Sequence, residues 1–281
     1  LEKGWGFSPF FMGVSQLPLY SLGVLLLIAI GVIAGISFSK TRFWVGGYLF
    51  SMAVILFIGA AMRSVPLEQS FVGKLLMHGR LEFVLIGVLT SFLLTMLIIK
   101  ADGRGVKLLL GVFAFLISFF YSFMPFFLPE YYREHYRQLK TCADEHAVCL
   151  QSTNYNCGPA AAVTALARFG ILADEGEMAI LAYSNWVTGT PTDLLCNAIN
   201  QKLAGSKFKC EFKSFSDLSE ITSFPAIAVV EFGFLVDHYV TLLGRQGDVL
   251  IVGDPDGGKK MMKEQEFMQR WRKIAIVFAS K

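Results

Sequence analysis

In the first 129 residues, four stretches carry no charged residue at all: 4–39, 43–62, 83–99 and 108–129. A helix that crosses the hydrocarbon core of a bilayer needs about 20 apolar residues, with a working range of about 17–25. Three of the four stretches match one crossing each. The first is longer, and Pro9 and Pro18 interrupt its beginning, so the pattern predicts a span over 20–38 with 4–18 lying along the interface. The expected spans are then 20–38, 43–62, 83–99 and 108–128. The length of the first apolar run, and the three runs behind it, do not fit a cleaved secretory signal. Charge returns only afterwards: residues 1–128 hold 9 Lys/Arg and 4 Asp/Glu, and residues 129–281 hold 16 and 18. The expected organisation is a membrane domain of four transmembrane helices (1–128), an interfacial connector (129–141) and a water-facing domain (142–281). The two parts contribute about +5 and −2 to a net charge of +3, a balance that gives no electrostatic footing for nucleic acid.

The short turns set an expected orientation. Ser39-Lys40-Thr41-Arg42 joins the first two spans, and Lys100, Arg104 and Lys107 lie between the last two. The other side holds Lys3 and the dispersed Arg63, Lys74 and Arg80. Lys and Arg close to span ends mark the cytoplasmic side. The water-facing domain is therefore expected outside, on the periplasmic or exterior face of a bacterial inner membrane. Within the spans there is no charged residue, which disfavours ion or proton transport. Loop 63–82 is expected to extend the third helix. Tyr131, Tyr132, Arg133, Tyr136 and Arg137 are expected to form an interfacial belt after the last span.

From Cys142 onward the pattern alternates between helix and strand. Helices are expected from Pro159 to Gly170, over 175–183 and over 191–203, and strands over 207–213, 225–232, 238–244, 248–253 and 273–278. Helices first and hairpin-linked strands later indicate an α+β domain over an antiparallel sheet. Gly257-Gly258-Lys259-Lys260 reads as a hairpin turn, since it lacks the spacing of a phosphate loop, and no nucleotide is expected.

The chemistry concentrates at Gln151-Ser152-Thr153-Asn154-Tyr155-Asn156-Cys157-Gly158-Pro159-Ala160. Cys157 stands where a polar loop becomes an Ala-rich helix, and unpaired amides at a helix N-terminus favour the nucleophilic thiolate. Gly158 lets backbone and substrate approach closely. Gln151 lies near enough to offer a side-chain NH₂ to a developing oxyanion. A cysteine opening a buried helix is more often a small core residue, so the partners decide. His238 begins one apolar strand and Asp254 ends the next, and an antiparallel pairing of the two brings these ends together. His238 is then expected to act as base and acid for Cys157, with Asp254 holding the imidazole.

This set of residues resembles the papain-like double-glycine leader peptidases, which process bacteriocin precursors. The likeness covers about 149–279 and rests on the Gln151-to-Cys157 interval, Cys157-Gly158-Pro159-Ala160, His238-Tyr239-Val240, Gly253-Asp254-Pro255, and a closing Glu266-Phe267 with Trp271. It implies a papain-like cysteine peptidase domain with Cys157 as nucleophile, His238 as base, Asp254 as orienting acid and Gln151 as oxyanion donor, and with no metal or cofactor. Three features depart from the family pattern. The spans precede the domain, no ATPase follows within these residues, and Asn156 stands where an acidic residue is common.

All five cysteines lie beyond the spans, at 142, 149, 157, 196 and 210. With Cys157 reserved, two disulfides are expected, with Cys142–Cys149 and Cys196–Cys210 the shortest-loop pairing of three. The scattered His78, His135 and His146 offer no metal site. The expected function is a cysteine peptidase acting on a peptide or protein substrate at the surface of a phospholipid bilayer. A thiol-dependent acyltransferase, passing a lipid acyl chain to an amine such as a lipoprotein N-terminus, is the alternative because four spans exceed what an anchor needs. A non-catalytic binding or assembly module is the second alternative.

Overall fold

The computed structural model describes residues 17–61, 81–233 and 236–281. The expected interfacial segment 4–18 and loop 63–82 lie almost wholly outside the described residues. The chain divides into two compact units, Leu1–Ile55 with Phe83–Tyr131, and Leu56–Glu82 with Tyr132–Lys281.

The first unit is helical. Helix α1 covers Leu17–Ser39, α2 Trp44–Ala61, α3 Leu81–Lys100 and α4 Arg104–Ile117, which runs on through a π-helical turn, Ser118–Phe123, into α5, Met124–Tyr131. Among the described residues three helices are long and apolar enough to cross a membrane: Ser21–Ser39, Leu81–Lys100 and the continuous Arg104–Tyr131. Helix α2 is equally apolar but shorter, so the expected span over 43–62 is not matched by length. The last span is longer than its expected 108–128 because the π turn carries the helix across Ser118–Phe123 without a break.

Close packing in this unit depends on missing side chains. A Cβ on Gly31 would lie 2.7 Å from the Val88 carbonyl oxygen, and one on Gly35 would lie 2.7 Å from that of Phe92, so α1 meets α3 backbone to backbone. Small residues one helical turn apart serve this purpose in membranes, where burial of apolar surface drives nothing. Phe115, Phe119, Phe123, Phe127 and Tyr131 form a continuous stack with centroids 5.6, 5.6, 5.4 and 5.8 Å apart. A four-residue step overshoots the 3.6-residue α-turn. The wider π turn takes up that excess and keeps the rings in line.

The second unit begins with the short helix α6, Arg133–Arg137. Tyr136, expected in an interfacial belt, is instead 1% exposed, and its hydroxyl donates to the Ser184 carbonyl at 3.0 Å. Strands β1 (Cys142–Ala143) and β2 (Cys149–Leu150) form a small antiparallel pair. Helices α7 (Cys157–Ala167), α8 (Glu175–Leu181) and α9 (Thr192–Lys202) follow. The sheet then comprises β3 (Phe208–Ser214), β4 (Ala226–Gly233), β5 (Val236–Gln246), β6 (Val249–Asp254), β7 (Gly258–Lys263) and β8 (Trp271–Ser280), with α10 (Glu264–Arg270) before the last strand. All neighbours are antiparallel, in the order β3-β8-β4-β5-β6-β7. The domain is thus α+β over an antiparallel sheet, as the pattern predicts. Strand β7 and the β1–β2 pair are additions. The turn falls earlier than expected, over 255–257, and Gly258, Lys259 and Lys260 already belong to β7.

Two cores sandwich the sheet. Ile227, Val229, Tyr239, Ile274 and Ile276 pack against the helices, while Ala226, Ala228, Val230, Val240, Leu242 and Trp271 face the opposite side. This is the period-two alternation of a sheet covered on both faces. Helix α7 is buried from Cys157 to Leu166, which accounts for its run of alanines: a helix enclosed on all sides leaves room for little more than Cβ atoms.

The five cysteines are all free thiols, so the expected disulfides are not formed. The register pairs Cys142 with Leu150 and Ala143 with Cys149, which points Cys142 and Cys149 to opposite faces of their ladder. Cys196 and Cys210 do meet, with sulfurs 3.2 Å apart, but as a buried thiol–thiol contact.

Candidate active site

Cys157 is the first residue of α7 and His238 the third of β5, both almost fully buried at 8% and 6% exposure. In the β5–β6 ladder Thr241 pairs with Gly253. Continuing that register sets Asp254 beside Val240, two residues from His238, so His238 and Asp254 are diagonal neighbours on one face. Their side chains meet there, with His238 Nε2 2.8 Å from Asp254 Oδ1. Cys157 is near enough to the ring to favour its protonated form. Helix α7 is held to β5 by the Thr241 hydroxyl, which donates to the Ala161 carbonyl at 2.9 Å, and this fixes the distance over which thiol and imidazole face each other.

Burial would lower the imidazole's affinity for its proton, but the hydrogen bond to Asp254 and the nearness of Cys157 outweigh it and raise the His238 pKa to about 9. Burial likewise opposes ionisation of Asp254. The contacts with His238, with Lys260 and with the Asp256 amide prevail and hold its carboxyl well below the usual carboxylate range. A charged imidazolium between a carboxylate and a thiol is the arrangement that readies a sulfur for nucleophilic attack.

Gln151 belongs to the same neighbourhood through its backbone, whose N–H donates to the Pro255 carbonyl at 2.8 Å, directly after Asp254. Its side-chain Oε1 is buried and has no hydrogen-bond partner among the described residues, as are both amide atoms of Asn156. The loop between Gln151 and Cys157 is pinned by a residue the sequence did not single out. Glu175, fully buried at the start of α8, accepts from the Ser152 N–H at 2.8 Å and from the Ser152 hydroxyl at 2.5 Å. Tyr239, next to His238, donates its hydroxyl to the Thr190 carbonyl at 2.9 Å and contacts the Thr192 hydroxyl at 2.7 Å. Thr190 in turn crowds Gly158, where an added Cβ would lie 3.0 Å from that of Thr190. The site therefore draws on α7, its preceding loop, β5, β6 and the loop before α9.

The remaining cysteines are of a different kind. Burial pushes the Cys149 thiol up to about 12, leaving it a neutral core group. Among the described residues no group of three or more His, Cys, Asp or Glu is placed to hold a metal ion.

The relatives and solved structures that resemble this chain each cover about half of it. A protein of Methanothermobacter thermautotrophicus is 27% identical over 129 residues, which is 46% of this chain and 85% of that protein. One from Methanothermobacter marburgensis matches at 27% over the same length. Among solved structures, the peptidase domain of Streptococcus ComA, a bi-functional ABC transporter involved in a quorum-sensing pathway, aligns with a TM-score of 0.41 and 24% identity, over 47% of this chain and 96% of that one. A double-glycine-motif protease from an AMS/PCAT transporter, solved in complex with the leader peptide, gives a TM-score of 0.41 and 18% identity, over 50% of this chain and 93% of that one. The family model described as the Peptidase C39 family matches residues 145–281, the part of the chain that follows the apolar helices.

Proposed function

We propose that this protein is a membrane-anchored cysteine peptidase that cleaves a peptide or protein substrate at the bilayer surface. Cys157 attacks the scissile carbonyl, and the bond to the leaving amine breaks as His238 delivers its proton. Water, deprotonated by His238, then releases the acyl group and restores the thiol. Asp254 keeps the imidazole oriented throughout, and Gln151 offers its side-chain NH₂ to the oxyanion together with the Cys157 amide. The observation that carries this reading is the buried line from Asp254 through His238 to Cys157, with its 2.8 Å carboxylate–imidazole bond.

Membrane anchoring is supported by the three long apolar helices, with α2 as the fourth crossing. The cation-rich turns at Lys40–Arg42 and Lys100–Lys107 support a catalytic domain on the outer face. The direct test is to incubate the full-length protein in detergent with a diverse mixture of peptides. New N-termini are expected with the wild type and not with Cys157→Ala, and they share small residues before the cut. Identical products from both proteins would refute the assignment.

A further inference from the structure

The Asp254 carboxylate has two oxygens, and only Oδ1 is taken by His238. Oδ2 accepts a hydrogen bond from Lys260 Nζ at 2.8 Å. Lys260 lies on β7, the neighbour of β6, where Asp254 pairs with Gly258 and Val252 with Lys260. The hairpin is shaped to allow this reach: a Cβ on Gly257 would lie 2.5 Å from Lys260 Nζ, so the lysine crosses over a glycine to return to Asp254. The Asp256 N–H donates to Oδ1 at 3.0 Å, and the Asp144 carboxylate accepts from the Lys259 N–H at 3.0 Å, which ties the hairpin to the β1–β2 turn.

On this geometry we infer that Lys260 is a positioning residue for the peptidase reaction, holding the Asp254 carboxylate in the rotamer that presents Oδ1 to His238 Nε2. A carboxylate bound through one oxygen only can swing about its Cβ–Cγ bond, whereas two charge-assisted bonds on opposite oxygens fix its plane. The line of charge then runs Lys260–Asp254–His238–Cys157 across β7, β6, β5 and α7. Other charges close to it are already engaged: Asp237 beside His238 pairs with Arg272 at 3.4 Å, and Asp144 serves backbone donors. The Lys260 side chain is 45% exposed and Asp254 17% exposed, so water competes for the lysine and less for the carboxylate. Lys260 therefore acts through Asp254.

This inference rests on the Cys157–His238–Asp254 reading, and one experiment separates the two. In full-length protein labelled with ¹⁵N-histidine, the hydrogen-bonded Nε2–H of His238 gives a far-downfield proton resonance that His238→Ala removes. Lys260→Met is expected to broaden or abolish that resonance while leaving the other imidazole signals in place, and Lys260→Arg restores it. In parallel, alkylation of Cys157 by iodoacetamide at pH 7 falls about tenfold in Lys260→Met, the scale on which one charge-assisted hydrogen bond acts, and recovers in Lys260→Arg. A Lys260→Met protein that keeps both the resonance and the wild-type alkylation rate overturns the inference and leaves the triad intact. A wild type with no His238-dependent resonance, and with alkylation unchanged in His238→Ala, overturns the triad and the inference together.

Discussion

His238 is held between a carboxylate and a thiol, and its raised pKa of about 9 has consequences at both ends of the pH scale. An imidazole that binds its proton more tightly when folded than when unfolded stabilises the native state fully below its unfolded pKa, about 6.5. That contribution is lost as pH rises through about 9. Asp254 has the opposite sign. Its depressed pKa gives stability that is present above about 3.8 and is lost as pH falls through its folded value. Peptide cleavage is expected to hold across neutral pH and to decline as pH passes about 9, where the imidazolium gives up the proton the leaving amine needs. A pH–rate profile of kcat/KM checks this, and a decline centred near 6.5 would contradict it. Asp254→Asn removes the charge and leaves the shape, so the rate is expected to drop about 10²-fold or more with KM little changed.

Elements place these residues, and the loop from Gln151 to Asn156 depends on α8 more than on its own sequence. Glu175 is a buried carboxylate whose two oxygens both bind Ser152. Glu175→Ala strips two charge-assisted hydrogen bonds and is expected to cost about 2–3 kcal/mol in unfolding of the C-terminal unit, together with a loss of cleavage rate. Chemical denaturation in detergent measures the first and the peptide assay the second. Gly176 alongside it touches the Tyr136 carbonyl, and a Cβ there would overlap the oxygen. Gly176→Ala is thus expected to destabilise by about 1–3 kcal/mol through forced separation of α6 and α8. How much could be seen beforehand follows from the range of each signal. The period-two runs around Val229 and Val240 and the Ala-rich run after Cys157 are local, and the strands and α7 lie within a few residues of where the pattern puts them. The His238–Asp254 meeting was legible because one hairpin joins the two strands. The Glu175–Ser152 and Lys260–Asp254 contacts were not, since a lone Glu or Lys carries no sign of which oxygen or amide it will meet. Tyr136 misled for the same reason, because an aromatic beside arginines reads alike as an interfacial anchor and as a core plug.

At the scale of the whole molecule, the last uncharged run of the helical part ends at 129, three residues before the second unit resumes at Tyr132. The cysteines are the feature that composition misread. Their number fits two bridges and one reactive thiol, whereas the β1–β2 register turns Cys142 away from Cys149 and the Cys196 and Cys210 sulfurs stay unbonded. Titration of purified, unreduced, denatured protein is expected to count five thiols. A count of one would restore the bridged arrangement. Alkaline phosphatase fused after Lys281 is expected to be active, as it folds only outside the reducing cytoplasm. An inactive fusion would place the catalytic domain inside. The central claim is that Cys157 forms an acyl-enzyme with a peptide, and the intact mass of the protein after brief incubation with the peptide mixture at low pH tests it most directly. A peptidyl mass is expected on the wild type and not on Cys157→Ala. A fatty-acyl mass on Cys157 after exposure to membrane lipids, with no peptidyl mass under any condition, would contradict it and make the protein an acyltransferase.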